Sequence, residues 1–179
     1  MTMPPVASAA TAADLTDLAA LAARTFPLAC PPGTLPEDID HFVATVLSEA
    51  AFGTYLEDPD RIVTVVRGDD GPVGYTMLVS AAPTDPDVVS SLTVTPSVEV
   101  SKLYVDSAEH GSGIAAALMD SAVQVTRDLG RRALWLGVNQ QNLRALKFYR
   151  RNGFEQVGEK RFALGAVLHE DFVMQRVLD

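Results

Sequence analysis

The sequence predicts one α/β domain, α+β in detail, on a mixed and largely antiparallel sheet. The chain has 179 residues, 47% of them hydrophobic, which supplies one core of ordinary size and argues against disorder. Helical and strand periodicities interleave in the rough order βααββ–βαβα–ββ, with no internal repeat or low-complexity segment. The apolar runs are short and punctuated by Pro, Gly and Asp, so no segment approaches the ~20 residues needed to span a bilayer.

Thr11 and Asp14 open an amphipathic helix on Leu15, Leu18, Ala22 and Phe26, which Pro27, Pro31, Pro32 and Gly33 are expected to break. Thr34 and Glu37 form a capping-box pattern ahead of a second helix carrying Ile39, Phe42, Val43, Val46, Leu47 and Ala50. Residues 61–67 are β-branched and separated from the apolar run 72–80 by Gly68-Asp69-Asp70-Gly71, the pattern of a hairpin. Most of 81–96, with its prolines, reads as a loop before a strand at 97–105. A helix at 114–129 follows, with Ile114, Leu118, Ala122, Val125 and Leu129 on one face and Gly130 as its stop. A strand at 133–138, a helix at 142–152 ended by Gly153, and strands at 154–162 and 171–178 complete the chain.

Composition narrows the function. Fourteen Lys+Arg against 23 Asp+Glu give a net charge of −9, which would repel nucleic-acid phosphates and anionic lipid. The lone Cys30 forms no internal disulfide, and nothing near it lowers its pKa, so it reads as a loop thiol. His41, His110 and His169 are dispersed without metal-ligand spacing, so no metal is expected. Residues 1–13 lack Lys and Arg and any long apolar run, so no secretory signal is expected there, and the expected location is cytoplasmic.

The most informative stretch is Leu103-Tyr104-Val105 followed by His110-Gly111-Ser112-Gly113-Ile114-Ala115. Glycines between a strand and a helix N-terminus let backbone N–H groups approach a phosphate, with the helix dipole behind them. As a bare pattern it fits a tight strand-to-helix turn equally well. A nicotinamide-dinucleotide reading fails because no Asp or Glu lies between Leu129 and Phe154 to hold a ribose. An ATP loop fails because no Gly-Lys-Ser/Thr follows.

Downstream, Leu136-Gly137-Val138, Asn142, Ala145, Phe148-Tyr149 and Gly153-Phe154 reproduce L-x-V-x-x-x-N-x-x-A-x-x-F-Y-x-x-x-G-F. This resembles a signature of the Gcn5-related N-acetyltransferase (GNAT) family. Residues 99–105 resemble that family's central strand, and 110–115 its acyl-CoA loop, with His110 where Arg or Gln is usual. The resemblance implies the GNAT fold, about seven strands flanked by about four helices, in a single domain over 1–179. The last third further resembles bacterial spermidine/spermine acetyltransferases.

What the resemblance implies is acetyl-CoA as co-substrate, held by Leu103, Tyr104, Val105, the loop His110, Gly111, Ser112, Gly113, Ile114 and Ala115, Asn142 and Tyr149. N–H groups near Leu103 and Val105, freed by a bulge of that strand, would bind the acetyl carbonyl. Tyr149 would protonate the departing sulfur, although by position alone it could equally be a core aromatic. Glu99 would take the amine's proton, directly or through water. By residue type alone it could instead pair with a Lys or Arg across strands. Asn142 also suits a plain helix N-cap. Glu37, Asp38, Glu49 and Asp171 are candidates for binding the acceptor, and Trp135 reads as a packed strand residue.

Charge is polarised: residues 127–161 carry +6 and the remainder −15, as suits a polyanionic donor at one end and a cationic amine at the other, or simply a solvated acidic surface. The expected activity is acetyl transfer to a small primary amine, a polyamine foremost, by direct attack on the thioester. A protein or peptide acceptor, or a CoA-binding regulatory module without turnover, is the alternative. The partners expected are the small amine and, as in many relatives, a second copy of the chain, with no nucleic acid or membrane.

Overall fold

The computed structural model describes residues 4–179, so Met1, Thr2 and Met3 of the N-terminal stretch lie outside the described residues. The chain runs β1 (Ala7–Ala9), α1 (Leu15–Ala29), α2 (Pro36–Val46), α3 (Glu49–Glu57), β2 (Arg61–Gly68), β3 (Gly71–Val79), α4 (Pro86–Ser91), β4 (Val98–Val105), α5 (Ile114–Asp128), β5 (Ala133–Asn139), α6 (Leu143–Arg151), β6 (Glu155–Leu164) and β7 (Val167–Val177). The seven strands lie in the order β1-β2-β3-β4-β5-β7-β6.

Neighbouring strands are antiparallel except β4 and β5. Those two pair only at Val98↔Leu134 and Glu99↔Trp135. β4 continues to Val105 and β5 to Asn139, so beyond Glu99 the strands part and the sheet opens as a fork. One face packs against α5 and α6 through Met119, Ala122, Leu136, Val138 and Leu146. The other face carries α1, α2 and α3 on β2–β4 through Leu18, Leu21, Phe52, Val65, Tyr75 and Met77. On this second face α4 covers Trp135 and Val173, leaving a gap between the two helical covers.

β4 does not alternate regularly. Met77 pairs with Lys102 and Leu78 with Val100, so Ser101 is an extra residue, a β-bulge. The insertion puts Glu99, Lys102 and Tyr104 on the face shared by Val79, Met77 and Tyr75, while Val98, Val100 and Leu103 turn to the α5 side.

Several local expectations need correction. The Thr34–Glu37 capping box does not form: α2 begins at Pro36 with Leu35 as N-cap, and Thr34 Oγ1 donates to Pro31 O at 2.7 Å. A proline in the first turn has no N–H to leave unsatisfied, so it sets the start by itself. The expected second helix is two helices, because Ser48 accepts from Ala51 N at 3.1 Å and caps a new one. Pro27 does not end α1, which runs to Ala29; in the last turn the lost bond is a single one. The final hairpin is longer than expected, and among the described residues there are six α-helices where about four were expected.

Candidate active site

A cavity of about 810 Å³ occupies the fork and is walled by α1, α2, β4, β5, α6 and the β6–β7 hairpin. Its volume suits a ligand of cofactor size. The open side of β4 presents backbone to it. Asp106 N donates to Val73 O at 2.8 Å. By the alternation of an antiparallel ladder, Leu103 and Val105 therefore point their N–H groups away from β3, into the fork. The bulge lies at Ser101, two residues before Leu103 rather than at it.

At one end lies the glycine loop. Gly111 and Gly113 hold φ of +90° and +88°, a region that glycine enters without strain, so both residues are needed by the turn itself. The first backbone bond into α5 is Ala117 N to Gly113 O at 3.0 Å, so the N–H groups of Ile114, Ala115 and Ala116, at the cavity wall, have no partner within the helix. The loop is held from behind by Arg24 Nε donating to Asp106 Oδ2 at 2.7 Å, which keeps that carboxyl below its usual range. Ser112 does not line the cavity; its hydroxyl turns back to Glu109 O at 2.6 Å. His110 does line it, with Nε2 3.2 Å from Val105 O. Arg144, Lys147 and Arg151, on one face of α6, add exposed cations to the same wall.

Tyr149 stands between the two ends, edge-on to Phe148 and Phe154 at 5.4 and 5.6 Å. Burial pushes its phenol up to about 12, so it keeps its proton at neutral pH. Among the described residues its hydroxyl has no protein hydrogen-bond partner. Asn142 both lines the cavity and caps α6, its Oδ1 accepting from Ala145 N at 3.1 Å.

The other end is a cluster of charges. Glu99 occupies the apex of the fork, where burial pushes its carboxyl up against the opposing pull of Lys102, Lys160 and Arg61. Lys102 lies on the same strand face, and burial pushes its ammonium down to about 8. Asp171, 8% exposed, faces Lys160 across β6–β7 and Asn139 across β5–β7, with its carboxyl pushed up by burial. Tyr104 stacks on Tyr75 at 5.7 Å, and burial drives its phenol well above its ordinary value. Phe26, Phe42 and Phe162 form an aromatic wall beside this cluster.

Glu37, Asp38 and Glu49 do not line the cavity. Asp38 abuts the β6–β7 turn, its carboxylate where a Cβ on Gly165 would lie, and Glu49 accepts from Thr16 Oγ1 at 3.2 Å. Trp135 is buried at 4% exposure. Cys30 lies at the cavity wall, with burial pushing its thiol up to about 11, which suppresses the thiolate. Sequence reasoning passed over Lys102, Lys160, His169 and Gly137, all in the lining. A lysine inside a strand meant to be buried and a glycine mid-strand were the available signals.

Among the described residues no group of three His, Cys, Asp or Glu side chains converges as a metal site, and no helix is long and apolar enough to cross a membrane.

A strand that leaves its parallel neighbour, a glycine loop at a helix N-terminus beside it, and a protonated phenol across the gap border one cleft. The Acetyltransferase (GNAT) family matches residues 16–154, and the chain belongs to that family. It is an acetyl-CoA-dependent N-acetyltransferase. An uncharacterized N-acetyltransferase of Mycobacterium tuberculosis is 46% identical over 165 residues, 92% of this chain and 98% of that protein. An uncharacterized N-acetyltransferase of Lactobacillus delbrueckii is 26% identical over 92% of each chain. The PaiA N-acetyltransferase of Thermoplasma acidophilum, solved with coenzyme A, shares the fold at a TM-score of 0.76 and 18% identity, over 98% of this chain and 99% of that one.

Proposed function

We propose that the chain acetylates a small primary amine that enters on the Glu99 side, by direct attack on the thioester of acetyl-CoA. The observation that carries this reading is the fork itself, with Glu99 at its apex and Tyr149 facing the same cavity. The loop Gly111–Gly113 and the start of α5 would take the pyrophosphate on backbone N–H groups, and Arg144, Lys147 and Arg151 supply positive charge nearby. These cations offer what His110 lacks relative to an Arg. The fold neighbour solved with coenzyme A supports the same assignment. Asn142 would flank the pantetheine arm.

The donor supplies an activated acetyl group, and the protein does the rest. An aliphatic amine has a pKa near 10.4, so it arrives protonated at neutral pH. Glu99 would receive that proton, directly or through one water. N–H groups of Leu103 and Val105 would hold the carbonyl oxygen as negative charge develops on it. Tyr149 would donate to the sulfur as the C–S bond breaks, a role that its retained proton fits.

The cavity supports a polyamine less well than the sequence suggested. Lys102 and Lys160 face the acceptor space, and the acidic residues of α2 and α3 stay outside it. A homodimer and a cytoplasmic location remain part of this reading.

The test is thiol release from acetyl-CoA across a panel of primary amines. Saturable release, lost in Tyr149→Phe while CoA binding persists, supports the assignment. CoA binding without release for any amine would leave the regulatory module in its place.

A further inference from the structure

The acceptor end holds charged side chains that the chemistry above does not fully use, with His169 beside Asp171. Glu99 and Lys102 share a face of β4 because Ser101 bulges out. Asp171 and Lys160 form a cross-strand pair on β7 and β6. Lys160 reaches further than its own strand: its Cδ lies 3.1 Å from where a Cβ on Gly137 of β5 would sit. Its aliphatic stem therefore crosses β7, a span of roughly 10 Å for two strand spacings, and leans toward the fork. Gly137 has no Cβ to block that path. Among the described residues, salt bridges within 4.0 Å join only Arg24–Asp106, Arg61–Asp58 and Arg67–Asp14. Lys102 and Lys160 therefore have no carboxylate oxygen within 4.0 Å.

Lys102 and Lys160 are half-buried and line one cavity without an ion pair, Lys160 Nζ lying 5.9 Å from the centroid of the Phe162 ring, and two such cations together are complementary to an anion. The same space holds two carboxylates, so the complement of the cluster as a whole is a molecule bearing both signs. We infer that the acceptor is an amphoteric amine, a primary amine with a carboxylate close to it as in an amino acid, and that Lys102 and Lys160 bind the carboxylate. This rests on the acceptor end lying where the proposed function puts it. Glu99 and the Leu103–Val105 edge are then left for the amine and the acyl group. A polyamine would bring its extra cations against Lys102 and Lys160. A protein N-terminus carries an amide where an amino acid carries its α-carboxylate. A bound carboxylate would also favour the charged form of Lys102, whose ammonium burial now disfavours.

The test uses equilibrium binding so that it does not depend on turnover. N-acetylated amino acids and their carboxamides, identical except for the anionic group, are titrated by calorimetry into the CoA-loaded protein. The carboxylate members are expected to bind about tenfold or more tightly than the amides, the scale of a charge-assisted hydrogen bond. In Lys102→Met, and separately in Lys160→Met, that ratio falls toward one. Amides binding as well as carboxylates, no detectable binding of either, or variants that weaken both members alike would each overturn the inference. Turnover is scored separately with free amino acids, their amides and spermidine. Preference for spermidine or the amides would overturn the amphoteric acceptor and leave the acetyltransfer reading intact. Carboxylate-selective binding with no thiol release from any amine would do the reverse.

Discussion

Glu99 and Trp135 are the last residues at which β4 and β5 pair; one step further the two strands separate. The base candidate therefore sits where a hydrogen-bonded sheet turns into an open cleft, beside backbone that no neighbouring strand covers. Glu99 is thus half-buried at the cavity wall, which raises its pKa and suits the base role proposed for it.

That placement predicts a pH profile. Burial lifts the Glu99 carboxyl above its ordinary 4.5, and the base acts only when deprotonated. kcat/KM should rise with pH along an acidic limb centred above the ordinary glutamate value. Glu99→Gln should lower kcat/KM by about 10²-fold at neutral pH and abolish that limb. An unchanged limb in the Gln variant would remove Glu99 from the proton path.

Lys102 should leave a signature in stability. Its folded-state pKa is depressed to about 8 from 10.5, so between those values the unfolded chain binds more protons and stability rises with pH. Lys102→Met removes the buried charge and should be more stable than the parent below pH 8, by about 1–3 kcal/mol. The difference should shrink as pH approaches 10.5. Urea denaturation of both proteins at pH 7, 8.5 and 10 measures it.

Gly74 predicts a link between the sheet and the glycine loop. A Cβ there would lie 2.7 Å from Ile114 Cγ2 and 3.2 Å from Leu118 Cδ1, so Gly74→Ala must push the first turn of α5 off β3. Overpacking of this kind costs about 1–3 kcal/mol. Because Ile114 begins the helix whose N–H groups face the cavity, CoA affinity should drop by about tenfold in calorimetry. Loss of stability with CoA affinity unchanged would separate the two.

Asp14 and Arg67 tie the entrance of α1 to β2. Arg67 donates from Nε to Oδ1 at 3.1 Å and from Nη2 to Oδ2 at 2.6 Å, and Thr11 N adds a third donor at 2.7 Å. The Arg67 hydrogen bond, chiefly, holds the Asp14 carboxyl below its ordinary 3.8. The pair's contribution is therefore present above that value and is lost as pH falls through the lower folded-state value. Asp14→Ala should cost about 1–3 kcal/mol at pH 7, less than a fully buried pair because Arg67 is partly exposed. Chemical denaturation at pH 7 and pH 3 should show the penalty at the first and a smaller one at the second.

The sequence by itself determined the fold class, the hairpin of β2 and β3, the helix after Gly113, and the run from Leu136 to Phe154. Each is written in residues close together: a two-residue or 3.6-residue period, or a glycine at a position that only glycine occupies easily. The helix boundaries at Pro36 and Ser48 were equally local, but the Thr34–Glu37 pattern masked the first and the apolar spacing from Val46 through Leu47 to Ala50 masked the second. What tertiary structure alone decided is the charge cluster proposed as the acceptor end. The Ser101 bulge turns Lys102 onto the face of Glu99, and the reach of Lys160 over β7 depends on register between β5, β6 and β7. Likewise Glu37, Asp38 and Glu49 carry suitable charge but stand outside the cavity, because the packing of α2 and α3 decides which way each side chain points. Spacing along the chain specifies an element; which charges meet is set by register and bulges between strands far apart in sequence, and no local pattern encodes those.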